Sequence, residues 1–469
     1  MSYCRVLEAS HAGMVENPTP ELSQQDRQVR RSHLENTSIP LLTEREATLL
    51  WQHRLTVSRE LLDSENRPLK VVYPGRPNSG AGADFCDAVV YTGGLLRQGC
   101  IEVHTQSANW RAHGHHLDPA YNRVILHVAL EASGTAQTFL QNGQVVPTVI
   151  LGQSVSTAQT ASTQSCLYPC QSFTRYHGKT ALLDHLTSAG LQRFYLKAAG
   201  FHGDSPVEFA ENFFQAFMEA LGYAQNKEPF RQLARLMPLK TLENFVRQLP
   251  TEEETALNLL HSLLLGKAGL LFANCAARQL PASRLKALQH IWHAYGLQPA
   301  LCDRDWILCR VRPGNHPIRR LLALGYLILR YRARGLFGSL LESVRSLPVT
   351  RANTVMEQIF TVNPADETAL LGGERAAEIV VNVFLPAVFA WSISQGNREA
   401  ADKILDYYRH YPRLPVNSLV HHMLGQLSLS GHDINGACQQ QGLIHIFQTM
   451  CRQGQCHACT FDLSRENAD

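Results

Sequence analysis

Three residues in the first third of the chain have the types and spacing to bind a divalent cation. Asp84 follows a glycine-rich turn (Gly80, Gly82) and precedes a β-type run from Phe85 to Tyr91. Glu102 and His104 lie two apart in the next such run, so strand alternation sends both to one face. Two carboxylates and a third polar group on neighbouring strands suit one Mg²⁺ or Mn²⁺ that keeps waters and meets a substrate phosphate. In that reading Asp84 and Glu102 hold the metal, and His104 orients or deprotonates the water. Five of the 21 histidines (His104, His113, His115, His116 and His127) fall within 24 residues, with Asp118 beside them. Such a density fits a second ligand set, a general acid or phosphate contacts. His113 and His115 are assigned to the substrate or leaving group. A core histidine bonded to backbone is the competing reading for any single member.

Two further clusters carry other chemistry. Cys451-x4-Cys456-x2-Cys459 has metal-ligand spacing, with Cys438, His445 and His457 close by. A Zn²⁺ with a Cys₃His or Cys₄ set fits it, and so does a [4Fe–4S] cluster; the fourth ligand is open. The remaining cysteines, including the pair Cys166/Cys170, call for no function at this level. From Trp306 to Leu341 there are seven arginines and no Asp or Glu. Arg319 and Arg330 are eleven apart, returning to within about 20° on a helix, and Arg312 and Arg320 accompany them. These four are candidates for nucleic-acid phosphates; a solvated helix face or internal pairing fits the same pattern.

What must position these residues follows from the rest of the chain. At 469 residues, with 45% hydrophobic and 18% charged, the protein has enough apolar material for two or three domains. A net charge of +3 excludes strong polyelectrolyte character. The N-terminus lacks an apolar signal core, and the most apolar run, Ile379 to Trp391, is too short to span a bilayer. A cytoplasmic protein without a membrane partner is therefore expected, its cysteines free or metal-bound. Residues 1–40 read as a loose arm, 41–155 as an α/β domain and 156–175 as a Ser/Thr/Gln-rich linker. Residues 176–430 read as an all-α domain, and 431–469 as a Cys-rich metal-binding segment. Within 41–155, Thr43 with Glu46 predicts a helix start. Runs at Leu69–Tyr73, Phe85–Tyr91 and Leu95–Thr105 predict strands. A short helix within 107–121, a strand at Arg123–Leu130 and a hairpin tipped by Asn142-Gly143 follow.

The order α-β-β-β-α-β, with Ala83-Asp84 and then Glu102-Val103-His104, resembles the PD-(D/E)xK nuclease superfamily. In that superfamily an Asp begins the second strand and (D/E)-x-K lies on the third. Ala83 stands in place of its Pro and His104 in place of its Lys. The only lysine in the first 178 residues is Lys70, one strand earlier. The resemblance implies an α+β fold: a nuclease-like core with a mixed sheet, then a large all-α domain with a Cys-rich tail.

A wider set of motifs resembles the bacterial family called domain of unknown function 2851. It includes Gly75-Arg-Pro-Asn78, Gly82-Ala-Asp-Phe85, Gly99-Cys-Ile-Glu-Val-His104, Trp110 to His115, and Asp118-Pro-Ala-Tyr-Asn122. Downstream it continues through Asn226 to Phe230, Arg312-Pro-Gly-Asn315, Asn382, Pro386 and Gln439 to Leu443. That likeness spans about residues 44 to 460 and brings no activity with it. Three functions stay open: a metal-dependent nuclease acting on DNA or RNA, a non-catalytic nucleic-acid or protein-binding scaffold, and a Zn²⁺ hydrolase of a small substrate built on the histidines.

Overall fold

The computed structural model describes residues 43–461, apart from 55–59, 79, 135–136, 152–168, 310, 346, 348–351 and 365–367. The arm at 1–40, most of the linker at 156–175 and Arg310 lie outside the described residues.

Helix α1 (Glu44–Arg54) starts on the expected capping box. Thr43 donates to Glu46 Oε2 from its backbone N–H (2.7 Å) and its hydroxyl (2.9 Å), and the Glu46 N–H donates to Thr43 Oγ1 (3.3 Å). Ala47 and Trp51 occupy the buried face of this helix, and the Trp51 indole donates to Pro74 O (3.1 Å). Among the described residues nine strands follow: β1 (Glu60–Leu62), β2 (Pro68–Tyr73), β3 (Arg76–Pro77), β4 (Phe85–Thr92), β5 (Leu95–Gln106), β6 (Val124–Glu131), β7 (Thr138–Phe139), β8 (Val145–Val146) and β9 (Thr148–Ile150). The main sheet runs β1-β2-β4-β5-β6-β9, with β3 beside β4. Pairing is antiparallel as far as β5, then parallel from β5 to β6 and from β6 to β9. The mixed sheet and the α+β class agree with the sequence reading. The short strands β1 and β3 were not expected: they have three and two residues, too few to show a period.

One face of the sheet packs Val71, Val90, Ile101, Val103, Leu126, Val128 and Val149 against Ala47 and Trp51. Each fully buried side chain of this size contributes about 1.5–3 kcal/mol. Alternation then forces Glu102 and His104 to the opposite face, and the parallel register sets Glu102 against His127. On that face the short helix α2 (Asn109–Ala112) and the β7–β8 hairpin close a smaller core of Cys100, Trp110, Val124, Leu140 and Val146.

The chain from Phe173 onward is helical. The helical stretch α3 (Phe173–Ala199), broken by a kink at Gly178 (φ 81°), begins inside the segment expected to be a linker, preceded by a tight turn at Pro169–Ser172. The next helix, Pro206–Leu221, is capped by Ser205, whose Oγ accepts from the Glu208 N–H (3.2 Å). It buries Phe209, Phe213, Phe214 and Phe217 in the main helical core. The apolar helix Gly373–Ser394 is long enough to cross a membrane by length and composition, yet 67% of its most apolar stretch is buried among its neighbours. The apolar run Ile379–Trp391, too short by itself to span a bilayer, is thus part of a longer, mostly buried core helix.

The C-terminal segment does not stand apart. Helix Ala437–Thr449 lies along α3 at the closest separation two helices allow. A Cβ added to Gly190 would sit 2.0 Å from Cys438 O, and one added to Gly442 would sit 2.0 Å from Leu186 O. Beyond it, the chain returns to the sheet. Asp87, held at φ 60° in the bulge of β4, pairs with Arg76 (2.8 Å) and with Arg452 (3.3 Å). Tyr73 OH meets His422 Nε2 at 2.5 Å. The boundary at 430 therefore divides residues that share one core, in which Tyr73 and Val89 of the sheet join Leu182, Leu443 and Phe447.

Candidate metal centre

Strand β5 delivers Glu102 and His104 to the covered face of the sheet, where His104 is 1% and Glu102 6% exposed. After β5 the chain turns through α2. Trp110 locks that turn by donating its indole N–H to Phe139 O (2.9 Å). Gly114 then reverses the backbone at φ 75°, a conformation that costs glycine little. That reversal places both His113 and His115 over His104. The ring centroids lie 5.1 Å (His104–His113), 5.3 Å (His104–His115) and 5.5 Å (His113–His115) apart. One nitrogen from each of the three rings falls within 4.8 Å of the other two. Glu102 Oε1 approaches His115 Nε2 to 3.2 Å and His104 Nε2 to 3.7 Å. The cluster grades outward from buried His104 through half-buried His115 to exposed His113, so a small molecule can reach it.

His104 is held from behind by a chain of hydrogen bonds. Its Nδ1 meets His127 Nε2 (3.0 Å), His127 Nδ1 meets Thr138 Oγ1 (2.7 Å), and Thr138 Oγ1 meets Thr148 Oγ1 (2.9 Å). If each ring donates from Nδ1, every link in that direction is satisfied, a tautomer assigned from the network. His104 Nε2 then carries a lone pair aimed at Glu102 and the two outer imidazoles. This atom is buried and has no hydrogen-bond partner. Burial, reinforced by the neighbouring imidazoles, pushes His104 down to about 3 and His127 down to about 4, so both rings are neutral at pH 7. Neutral imidazole is the ligating form.

Asp84 sits at the edge of this group. Its N–H donates to Glu102 Oε2 (2.9 Å), and its Oδ2 accepts from the Val103 N–H (3.1 Å). Burial, with the Glu102 carboxylate second, raises Asp84 to about 6. The structure thus brings all five expected residues (Asp84, Glu102, His104, His113 and His115) together, but as three convergent imidazoles with Glu102, and Asp84 behind Glu102. His104 takes the place that the motif gives to Lys. Lys70 is exposed and pairs with Tyr91 and Glu60, so it does not migrate in. Asp118 caps the turn at Pro119–Tyr121 through the Ala120 N–H (2.8 Å).

Two residues of this site were given no role in the sequence reading. Tyr121 stacks on His115 with centroids 3.9 Å apart, and burial raises its hydroxyl to about 12. Glu44, in the first turn of α1, lies 3.9 Å from His113 Nε2. Asp118-Pro-Ala-Tyr points to Tyr121 only once the turn is known to fold over His115.

The arginine stripe disperses. Arg320 is 4% exposed and donates to Leu370 O (2.9 Å) and Asn315 Oδ1 (2.8 Å), so no polynucleotide reaches it. Arg319 donates to Thr368 O and Ala369 O, and Arg330 to Ile359 O and Thr361 O. Arg312 is exposed. The sequence pattern could not separate a phosphate-facing stripe from arginines that satisfy loop carbonyls, because both put positive charge on one helix face. A cation-rich cleft occurs elsewhere, between the sheet and the helices. It encloses about 1020 Å³ and is lined by Arg193, Lys197, Arg231, Arg235, Arg375 and Arg452.

The model of one family, Protein of unknown function (DUF2851), matches residues 44–414. No curated protein and no solved structure matches the chain.

Proposed function

The chain belongs to this family of unknown function, and we propose that it is a metal-dependent hydrolase acting on phosphodiesters of DNA or RNA. One observation carries the reading: the buried, unpartnered Nε2 of His104, facing two more imidazoles and a carboxylate. Leaving a buried nitrogen unbonded costs about 1–3 kcal/mol, which a cation offsets by accepting its lone pair. Three imidazoles are a softer set than the sequence implied. They favour Zn²⁺, then Mn²⁺, over Mg²⁺, which prefers oxygen ligands.

The chemistry follows from the ligands. A cation held by these ligands would supply Lewis acidity to a phosphate and to its attacking water. Asp84, raised to about 6, is matched to take the proton of that water near neutrality and to return it to the leaving oxygen as its bond to phosphorus breaks. Half-buried Tyr121, stacked on His115, is assigned to steadying the phosphate.

The three-imidazole set also favours a second reading, a Zn²⁺ hydrolase of a small substrate. Protein loaded with Zn²⁺ or Mn²⁺ is expected to nick plasmid DNA or cleave RNA and to hydrolyse an aryl phosphodiester, and His104→Ala to do neither. Turnover of the aryl ester with no polynucleotide cleavage would select the small-substrate reading. Equal activity in wild type and His104→Ala, or none in either with every metal, would leave a non-catalytic scaffold.

A further inference from the structure

Thiols from two distant stretches of the sequence lie in one neighbourhood, with Cys170, Cys451 and Cys459 packed in the same cluster. Cys170 lies in the turn Pro169–Ser172 that leads into α3. Cys451 opens the turn after helix Ala437–Thr449, Cys456 opens the next, and Cys459 closes it. The side chain of Gln426 ties two of them together: its Nε2 donates to Cys170 Sγ (3.4 Å) and to Cys451 Sγ (3.6 Å). Cys456 and Cys459 lie close enough that their charge opposes ionisation of both Cys170 and Cys451, adding to the larger effect of burial. The surroundings are apolar, with Phe173, Phe447 and Phe461 in the same cluster. None of the four thiols is in a disulfide.

The other candidates for a fourth ligand point elsewhere. Cys438 donates to Thr187 O (3.6 Å) and is wedged against Gly190. His457 is exposed. Cys170, which sequence reasoning set aside, takes the place. Its distance of 281 positions from Cys451 hid it, whereas the C-x2-C pair was visible at once.

The groups acting on Cys170 and Cys451 are the other thiols and the Gln426 amide, the surroundings of a soft-metal site rather than of an acid–base site. Thiolates hold Zn²⁺ as a closed tetrahedral set, or an iron–sulfur cluster at its corners. The Gln426 N–H aimed at two sulfurs is the outer-sphere donor that such thiolates receive. Its other end faces the sheet: Gln426 Oε1 accepts from Tyr73 OH (3.3 Å). We infer that Cys170, Cys451, Cys456 and Cys459 are the four ligands of one structural metal centre, Zn²⁺ or [4Fe–4S], which clamps the chain end and the start of α3 to strand β2. This centre is independent of the histidine site.

The test is metal and acid-labile sulfide analysis of the full-length protein, purified anaerobically and carrying His113→Ala and His115→Ala to silence the first site. One zinc per chain without sulfide identifies Zn²⁺; four irons with four sulfides and broad visible absorption identify the cluster. Cys170→Ser is expected to lower the metal content at least tenfold, and Cys302→Ser, at an exposed cysteine, to leave it unchanged. Should Cys170→Ser fail to fold, titration of the parent protein with a mercurial decides: metal release tracking four thiols per chain supports the centre. Protein that contains no metal and takes up neither ion on reconstitution overturns it. Full metal content in Cys170→Ser, or metal release without thiol modification, overturns it as well. Loss of phosphodiesterase activity bears only on the histidine site.

Discussion

The histidine pocket and the cysteine centre are both compact sets of soft or borderline ligands, yet they are assembled in opposite ways. The pocket takes its main groups from one stretch, residues 84–127, in which two adjacent strands and a turn do the positioning. The cysteine centre gathers residues 170 and 451–459, which meet only after the whole helical region has folded. A site made of local contacts tolerates distant change, whereas one made of chain ends fails whenever the ends part. The pocket is also graded from buried to exposed, as substrate access requires. Cys451 is buried and Cys170 and Cys459 half-buried in a cluster with Phe173, Phe447 and Phe461. The proposed roles follow that difference, turnover for the first and stability for the second.

That contrast can be broken in five ways. Stripping the metal from the cysteine centre should cost the largest free energy, about 4 kcal/mol if the site is filled at a thousand times its dissociation constant. A thermal melt with and without chelator checks it, and an unchanged midpoint would remove the clamp. Next, His104→Ala should lower hydrolysis by more than about 100-fold, beyond the range for outer-sphere partners, with the melting temperature of the metal-loaded cysteine centre retained. Parallel collapse of both properties would mean that the two regions are not separate.

Thr138→Val cuts the hydrogen-bond chain behind His127 without touching a ligand, and should weaken metal binding at the pocket by about 10–100-fold. Isothermal titration with Zn²⁺ measures this, and unaltered affinity would show that the chain does not set the His104 tautomer. Acidification should act more gradually. His104, His127, His261 and His422 are all pushed down, to about 3–4, first by burial. Their folded values lie below the unfolded value of about 6.5, so the unfolded chain binds more protons and stability falls as pH drops from about 6.5 toward 3–4. Asp84, raised to about 6, opposes this below pH 6 but is one group against four. Melting temperatures of metal-free protein between pH 7.5 and 4.5 should decline throughout, and a rise would invert the assignment. The smallest effect is expected at Arg319→Ala, which removes bonds to Thr368 and Ala369 on the surface. Its effect on DNA affinity should stay within about 0.5 kcal/mol, read from a salt-dependent binding curve.

The sequence by itself determined much of the pocket. Strand alternation put Glu102 and His104 on one face, the Gly80–Gly82 turn put Asp84 at the start of β4, and Thr43 with Glu46 set the helix that covers the other face. These are short-range rules with periods of two or four residues, so they can be read off the residues. Tyr121 and Glu44 escaped because their places depend on how a turn and a helix fold over His115 and His113. Arg320 was misjudged because helical spacing records which residues share a face, not whether that face meets solvent or the Leu370 carbonyl. Cys170 was legible only in three dimensions: no local rule links it to residues 281 positions away. Tertiary structure alone decided which cysteine completes the set, which imidazole nitrogen is left without a partner, and that the chain end returns to the sheet. Packing creates such juxtapositions between segments whose sequences carry no record of one another.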